Sequence, residues 1–377
     1  MHVWDCSSFD SLIRMKRTGW RWRTGVETIS AEAEAEADAG AEAATGRAPR
    51  SRVVMSLISL ALAAVLISFL PHITGVTWGQ LDERLVRIGW GAMAVLTGVW
   101  AAGLWAYSNV LSDSLPGLSR RRALLVNCVG SGASNMLPFG GAVGVAMTFT
   151  MMTRWGFGRR PVVASTVVTG VWNLLSRFLL PAVGLGCLLG AGYMPDRRLA
   201  TAAGVGGALL IGVVVAMTAA LHREAVADLL GRGLDRVVRF LPLRRKPCLR
   251  DFLLDLRHST IEITRTRWPR LTLGMVAYMA LQCVLFIGCL RVTGAEVAVP
   301  EAVAAFAINR VLTTAVITPG GSGISESATA LALIGFGVAP GAATAAVLLF
   351  WFFAHLIEIP VGWFAWSIWS LTARARP

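Results

Sequence analysis

Charge is scarce in this chain: Asp, Glu, Lys and Arg make up only 15% of its 377 residues, against 55% hydrophobic ones. The apolar positions come in long runs rather than alternating with polar ones, which excludes a soluble enzyme and makes the bilayer the solvent. No Cys-x-x-Cys spacing links Cys6, Cys128, Cys187, Cys248, Cys283 and Cys289. Four of these lie in apolar segments, which argues against disulfides and metal sites; they read as small core residues. No His-Glu-x-x-His occurs, and the adjacent acidic pair of an outer loop, Asp82-Glu83, has no supporting histidine. Neither a metal nor a cofactor is expected. The first 50 residues lack an apolar core and a cleavage site behind their positive charges, so they do not form a secretory signal.

What is abundant is arginine, and the formal net charge is +13. The basic residues sit between apolar runs, where they mark cytoplasmic loops, so a nucleic-acid partner is not expected. Residues 1–50 begin with Arg14, Lys16, Arg17, Trp20, Arg21, Trp22 and Arg23 and continue into an Ala-Glu run. They read as a disordered cytoplasmic tail whose basic-aromatic part suits anionic lipid. Residues 51–377 read as an integral membrane domain.

The run 53–70 carries no charge and predicts a first span, with Arg50 and Arg52 on the cytoplasmic side; 88–111 returns. The stretch 123–153 has no charge, yet Arg120 to Arg122 precede it and Arg154, Arg159 and Arg160 follow. Basic clusters at both ends predict two half-helices that return to the same side, broken at Leu137-Pro138-Phe139-Gly140-Gly141. Spans follow at 162–189 and 199–221. Between 222 and 270 lies a basic loop with twelve Arg and Lys against six acids, expected to be cytoplasmic and to carry amphipathic surface helices. A span at 271–290, a second broken hairpin at 302–337 and a last span at 342–371 complete the chain. The predicted fold is therefore an all-α polytopic membrane protein with about six full spans and two broken, re-entrant hairpins, arranged as an inverted repeat. Both termini are expected in the cytoplasm, and the cell membrane is the expected location.

The second break, Thr318-Pro319-Gly320-Gly321-Ser322-Gly323-Ile324-Ser325-Glu326, lies in strongly apolar sequence. Proline removes a backbone donor and hydrocarbon offers no water in return, so this backbone has to line a protein-enclosed site. Broken helices at matching positions of two repeats are the arrangement in which transporters bind substrate near the midplane.

Asn135-x-x-Pro138 with its glycines, and Thr318-Pro319-Gly320-Gly321-x-Gly323-x-x-Glu326, together resemble the membrane region of lysylphosphatidylglycerol synthases over about residues 53–371. In that family the first break commonly continues as Gly-Glu with a nearby Arg; here Ala142, Val143, Gly144, Val145 and Ala146 stand there instead. Asn173-Leu174-Leu175-Ser176-Arg177 is similar to the family's Glu-Arg helix, with Ser176 in place of the acid. The resemblance implies translocation of a phospholipid or other polar lipid between leaflets. With no soluble transferase domain expected after Leu371, aminoacylation is not expected.

Each candidate residue carries two readings. Glu326 contacts a headgroup or a proton, or forms an ion pair with Arg310 or Arg177. Arg177, in mid-segment, suits bidentate phosphate recognition, or sits at a helix junction made by Pro181. Arg310 reaches a phosphate or Glu326, or snorkels outward. Gly140, Gly141, Gly320, Gly321 and Gly323, with Asn135, Pro138 and Pro319, offer backbone amides to an anion or let helices pack closely. His355 and Glu358 share a face as a polar relay or bond across the bundle. The rival functions are a secondary transporter of a small soluble anion, an intramembrane enzyme on lipid-linked substrates, and a non-transporting partner of a lipid-modifying enzyme. The expected partners are membrane lipids, with such an enzyme or a second copy of the chain as further candidates.

Overall fold

The computed structural model describes residues 65, 67–136, 140–192, 212, 249–313 and 323–374, with side chains for all of these except 249–266, 373 and 374. The described residues are almost all helical, and no strand occurs among them. After helical residues 67–74 come α1 (Trp78–Val86), α2 (Trp90–Ser114), α3 (Arg120–Met136), α4 (Gly140–Arg154), α5 (Arg159–Gly190), α6 (Leu249–Val292), α7 (Val299–Leu312), α8 (Ile324–Gly335), α9 (Pro340–Trp351), a π turn (Phe352–Leu356) and α10 (Glu358–Arg374). Among the described residues four stretches are long and apolar enough to cross a membrane: Trp90–Ser114, Arg159–Gly190, Arg267–Val292 and Pro340–Thr372. The expected tail, most of the 53–70 and 199–221 spans, residues 222–248 of the 222–270 loop and the central residues of both breaks, with Pro138, Pro319, Gly320 and Gly321, lie outside the described residues.

Local chemistry explains the helix ends. The Glu301 carboxylate accepts the Ala298 N–H at 3.2 Å, and the Gln80 amide oxygen accepts that of Thr77 at 3.2 Å, so both helix starts recover an orphan donor. Residues 249–270, expected as separate surface helices, instead extend α6 without a break through Pro269. Gly140 and Gly141, expected within the first break, open α4 as helical residues.

Two prolines shape the long helices. Pro181 lies inside α5 and leaves the Arg177 carbonyl without its usual partner. Pro360 does the same to Leu356, and there the chain widens into the π turn, closed by the Ile357 N–H donating to the Phe352 carbonyl at 2.9 Å.

Small residues set the packing. A Cβ on Gly274 would stand 2.8 Å from Val110, one on Gly288 2.7 Å from Leu96, and one on Gly103 3.9 Å from Leu281, so α2 and α6 run antiparallel along one seam. Gly140 and Gly144 press on Ser134 and Gly130, closing α3 on α4 as a hairpin. The first arm of each hairpin then packs on a kinked helix distant in sequence: α3 on α10, where a Cβ on Gly132 would come 2.9 Å from the Gly362 Cα, and α7 on α5, where one on Gly184 would come 3.1 Å from the Ala304 Cα. Phe286, Phe306 and Phe350 form an aromatic cluster joining α6, α7 and α9, with centroids 5.2–6.2 Å apart. A second apolar cluster of Val110, Val168, Leu271, Met275 and Met279 joins α2, α5 and α6. Large apolar side chains such as Trp90, Leu273 and Phe364 face outward, as a lipid-facing surface requires.

Candidate functional site

Polar and charged side chains converge where the hairpins meet the kinked helices. Arg310, near the end of α7, is only 7% exposed. Its guanidinium lies 5.2 Å from the ring centroids of both Phe306 and Phe350, and Nη2 donates to Gln282 Oε1 on α6 at 3.3 Å. Its Nε–H has no partner. Burial rules out the snorkelling expected as one alternative. Gln282 donates in turn to the Tyr278 hydroxyl at 3.3 Å, and Tyr278 packs on Tyr107 of α2 with centroids 5.0 Å apart.

Arg177 is half-buried on α5, at the carbonyl freed by Pro181. Its Nε donates to Asn173 Oδ1 at 3.3 Å and its Nη1 to the Thr313 hydroxyl at 3.2 Å, the last described residue before the second break. The expected junction at Pro181 does not form, since α5 runs unbroken from Arg159 to Gly190, and the Arg177 guanidinium reaches across to the end of α7.

Glu326 is 1% exposed. Its carboxylate accepts the backbone N–H of Gly323, whose φ of +96° turns the chain into α8. The acid therefore caps the half-helix that it begins, and its negative charge sits at the positive end of the helix dipole. Neither Arg310 nor Arg177 forms an ion pair with it; between described residues the one ion pair is the exposed Glu83–Arg87. Arg310 nonetheless lies within electrostatic reach of Glu326, Glu358, Arg177 and Tyr278.

On the other side, Asn135 near the end of α3 donates to Glu358 Oε2 on α10 at 2.9 Å. The same amide is 3.4 Å from the Ala354 carbonyl and 3.5 Å from that of His355, backbone groups loosened by the π turn. Trp100 of α2 lies beside Glu358, and its buried indole N–H falls short of hydrogen-bond geometry. His355 lies in the π turn, so its expected face-sharing with Glu358 is altered by the extra residue.

The structure thus brings together Arg177, Arg310 and Glu326 around the second hairpin and Asn135, His355 and Glu358 around the first. Gly140 packs against Ser134 while Gly141 faces open space. Gln282, Tyr107, Tyr278 and Thr313 were not singled out in the sequence, and Asn173 stood there only as part of the segment leading to Arg177. Gln282 was findable as a lone amide inside a 20-residue uncharged run, whereas the tyrosines and Thr313 are unremarkable without their neighbours. No group of three or more His, Cys, Asp and Glu that could hold a metal occurs among the described residues.

Buried charges held among the apolar helices of this domain define a polytopic membrane protein with an internal polar centre. The chain matches the family described as lysylphosphatidylglycerol synthase TM region over residues 56–362, most of its length, and it belongs to that family. No curated protein matches it.

Proposed function

We propose that this domain consists of two inverted copies of one unit and moves a phospholipid or other polar lipid between leaflets of the cell membrane, with both termini cytoplasmic. The carrying observation is the burial of Arg310, Glu326 and Glu358, each at most 7% exposed, in a membrane domain with no ion pair among them. A charge near mid-membrane costs roughly 2.5–3.5 kcal/mol on insertion scales and is retained where it serves a polar path.

The helix pairing supports the two copies. A shift of 178 residues carries Leu96 to Gly274, Gly103 to Leu281 and Val110 to Gly288, so the contacts of the α2/α6 seam map onto themselves. The same shift carries Asn135 to Thr313, each the residue of its hairpin arm that meets a charged residue of the distant kinked helix: Glu358 in one case, Arg177 in the other. Pro181 falls one residue short of Pro360, and the π turn between α9 and α10 accommodates that extra residue. Because α2 and α6 are antiparallel, the axis relating the copies lies in the membrane plane, the geometry of alternating access.

In this reading Arg177 and Arg310 hold the headgroup phosphate. Glu326 and Glu358 fix the hairpins rather than contact the anion, since each carboxylate is already hydrogen-bonded. The kink at Pro181 lets Arg177 move with the end of α7. The guanidinium fork suits two phosphate oxygens, which a lysine cannot match.

The test is leaflet exchange of a fluorescent phospholipid in proteoliposomes, with and without a proton gradient. Arg177→Ala is expected to reduce exchange to that of protein-free vesicles while the size-exclusion profile stays unchanged, and Arg177→Lys to retain part of it. Normal exchange by Arg177→Ala rejects the headgroup role. Wild-type protein no faster than empty vesicles, under both conditions, rejects translocation and leaves the partner-protein reading.

A further inference from the structure

A cavity of about 730 Å³ lies along the α2/α6 seam, and none of the buried charges lines it. Its lining from α2 is Ala102, Trp105, Ala106, Asn109 and Asp113, positions that recur on one helix face. From Ala102 to Asp113 the groove runs about 16 Å at 1.5 Å per residue. It changes character along that length. Ala106, Ala277 and Leu281 make one part apolar, while Arg120 and Arg270 stand with Asp113 at the other end.

We propose that this groove holds one anionic phospholipid, its phosphate between Arg120 and Arg270 and one acyl chain along the alanine-lined part. The site is separate from the buried polar centre and stands whether or not lipid crosses the bilayer. Three observations carry it. The polar end lies where α2 stops at Ser114 and α3 starts at Arg120, so the head-to-tail order of the groove follows that of a lipid at a membrane interface. Both guanidinium groups are exposed, and among the described residues neither has a hydrogen-bond or ion-pair partner, so their donors are available to phosphate oxygens. Arg267 donates to the Asp113 backbone carbonyl at 3.5 Å, bringing a third cation to an end that holds a single acid. That surplus of positive charge selects a net anionic lipid over a zwitterionic one.

The experiment uses the full chain in nanodiscs doped with phosphatidylglycerol or phosphatidylcholine, each carrying a photoactivatable diazirine in the same acyl chain. Cross-linked peptides are mapped by mass spectrometry. The expected result is labelling of 102–109 and 273–281 that is several-fold stronger with phosphatidylglycerol. R120Q/R270Q should bring it down to the phosphatidylcholine level, and Ala106→Trp, which fills the groove, should remove it for both lipids while labelling elsewhere persists. Equal labelling by the two lipids, or labelling indifferent to R120Q/R270Q, would mean ordinary annular lipid and overturn the proposal. Loss of the preference on adding excess inorganic phosphate with the acyl label still in place would mean that the arginines hold a free anion, and would overturn it too.

Discussion

Asn135 and Glu358, 223 positions apart in sequence, meet through a 2.9 Å hydrogen bond between α3 and α10. Glu358 is 7% exposed, so the amide is one of few groups able to solvate its carboxylate. Asn135→Ala is expected to cost about 1–3 kcal/mol, the penalty for a buried acceptor that loses its donor. Glu358→Gln should cost less, since its amide oxygen still accepts. Thermal unfolding of the detergent-purified protein checks both; equal midpoints for Asn135→Ala and wild type would show that the bond carries no stability.

The same interface depends on two glycines in direct backbone contact. Gly132→Leu is expected to lower stability by about 3 kcal/mol or more, beyond the usual cost of overpacking, because the obstacles are the Gly362 Cα and the Glu358 carbonyl rather than movable side chains. Gly98→Leu, at a position facing open space, is the control and should leave the midpoint unchanged. A similar shift in both would show that bulk alone, and not this contact, is responsible.

Gly323 enters α8 at φ +96° and gives its N–H to Glu326. Gly323→Ala is expected to cost about 1–2 kcal/mol in left-handed strain. Gly141→Ala, in the first turn of α4 with nothing within 4 Å, should instead stabilise by up to about 1 kcal/mol. Opposite signs in unfolding measurements are the result to look for; two like signs contradict this account.

Pro360→Ala restores a donor for the Leu356 carbonyl and removes the cause of the π turn. The regular helix that results would turn Glu358 by one residue, about 100°, away from Asn135. Disulfide formation in Asn135→Cys/Glu358→Cys should therefore be efficient with Pro360 and fall sharply with Pro360→Ala. Unchanged cross-linking would assign the π turn to tertiary packing alone.

Much of the helical plan was legible from charge placement. Arg120 to Arg122 and Arg154 to Arg160 bracket a run without charges, and α3 and α4 fold back within it as a hairpin. The charge count misjudged residues 249–270, where basic residues suggested surface helices and the backbone instead continues into α6 through Pro269, which lies in the interior of that helix. Glu326, Arg177 and Arg310 stood out as charges in apolar surroundings. Their partners did not: the aromatic pair around Arg310 and the self-capping of Glu326 depend on where Phe350 and Gly323 lie in space, and the π turn has no local signal other than Pro360. Ion pairing, a natural expectation for opposite charges in hydrocarbon, gives way here to amide and backbone donors.

The α2/α6 seam behaves as a lock with non-interchangeable parts. At its two outer levels α2 supplies the bulk, Leu96 and Val110, and α6 the gap, Gly288 and Gly274; at the middle level the roles reverse, with Gly103 facing Leu281. Two copies of α2 placed in this register would set Leu96 against Val110 with no gap to receive either, and two copies of α6 would leave hollows at the same levels. This complementarity makes α2 and α6 obligate partners: neither helix presents a surface that fits a copy of itself.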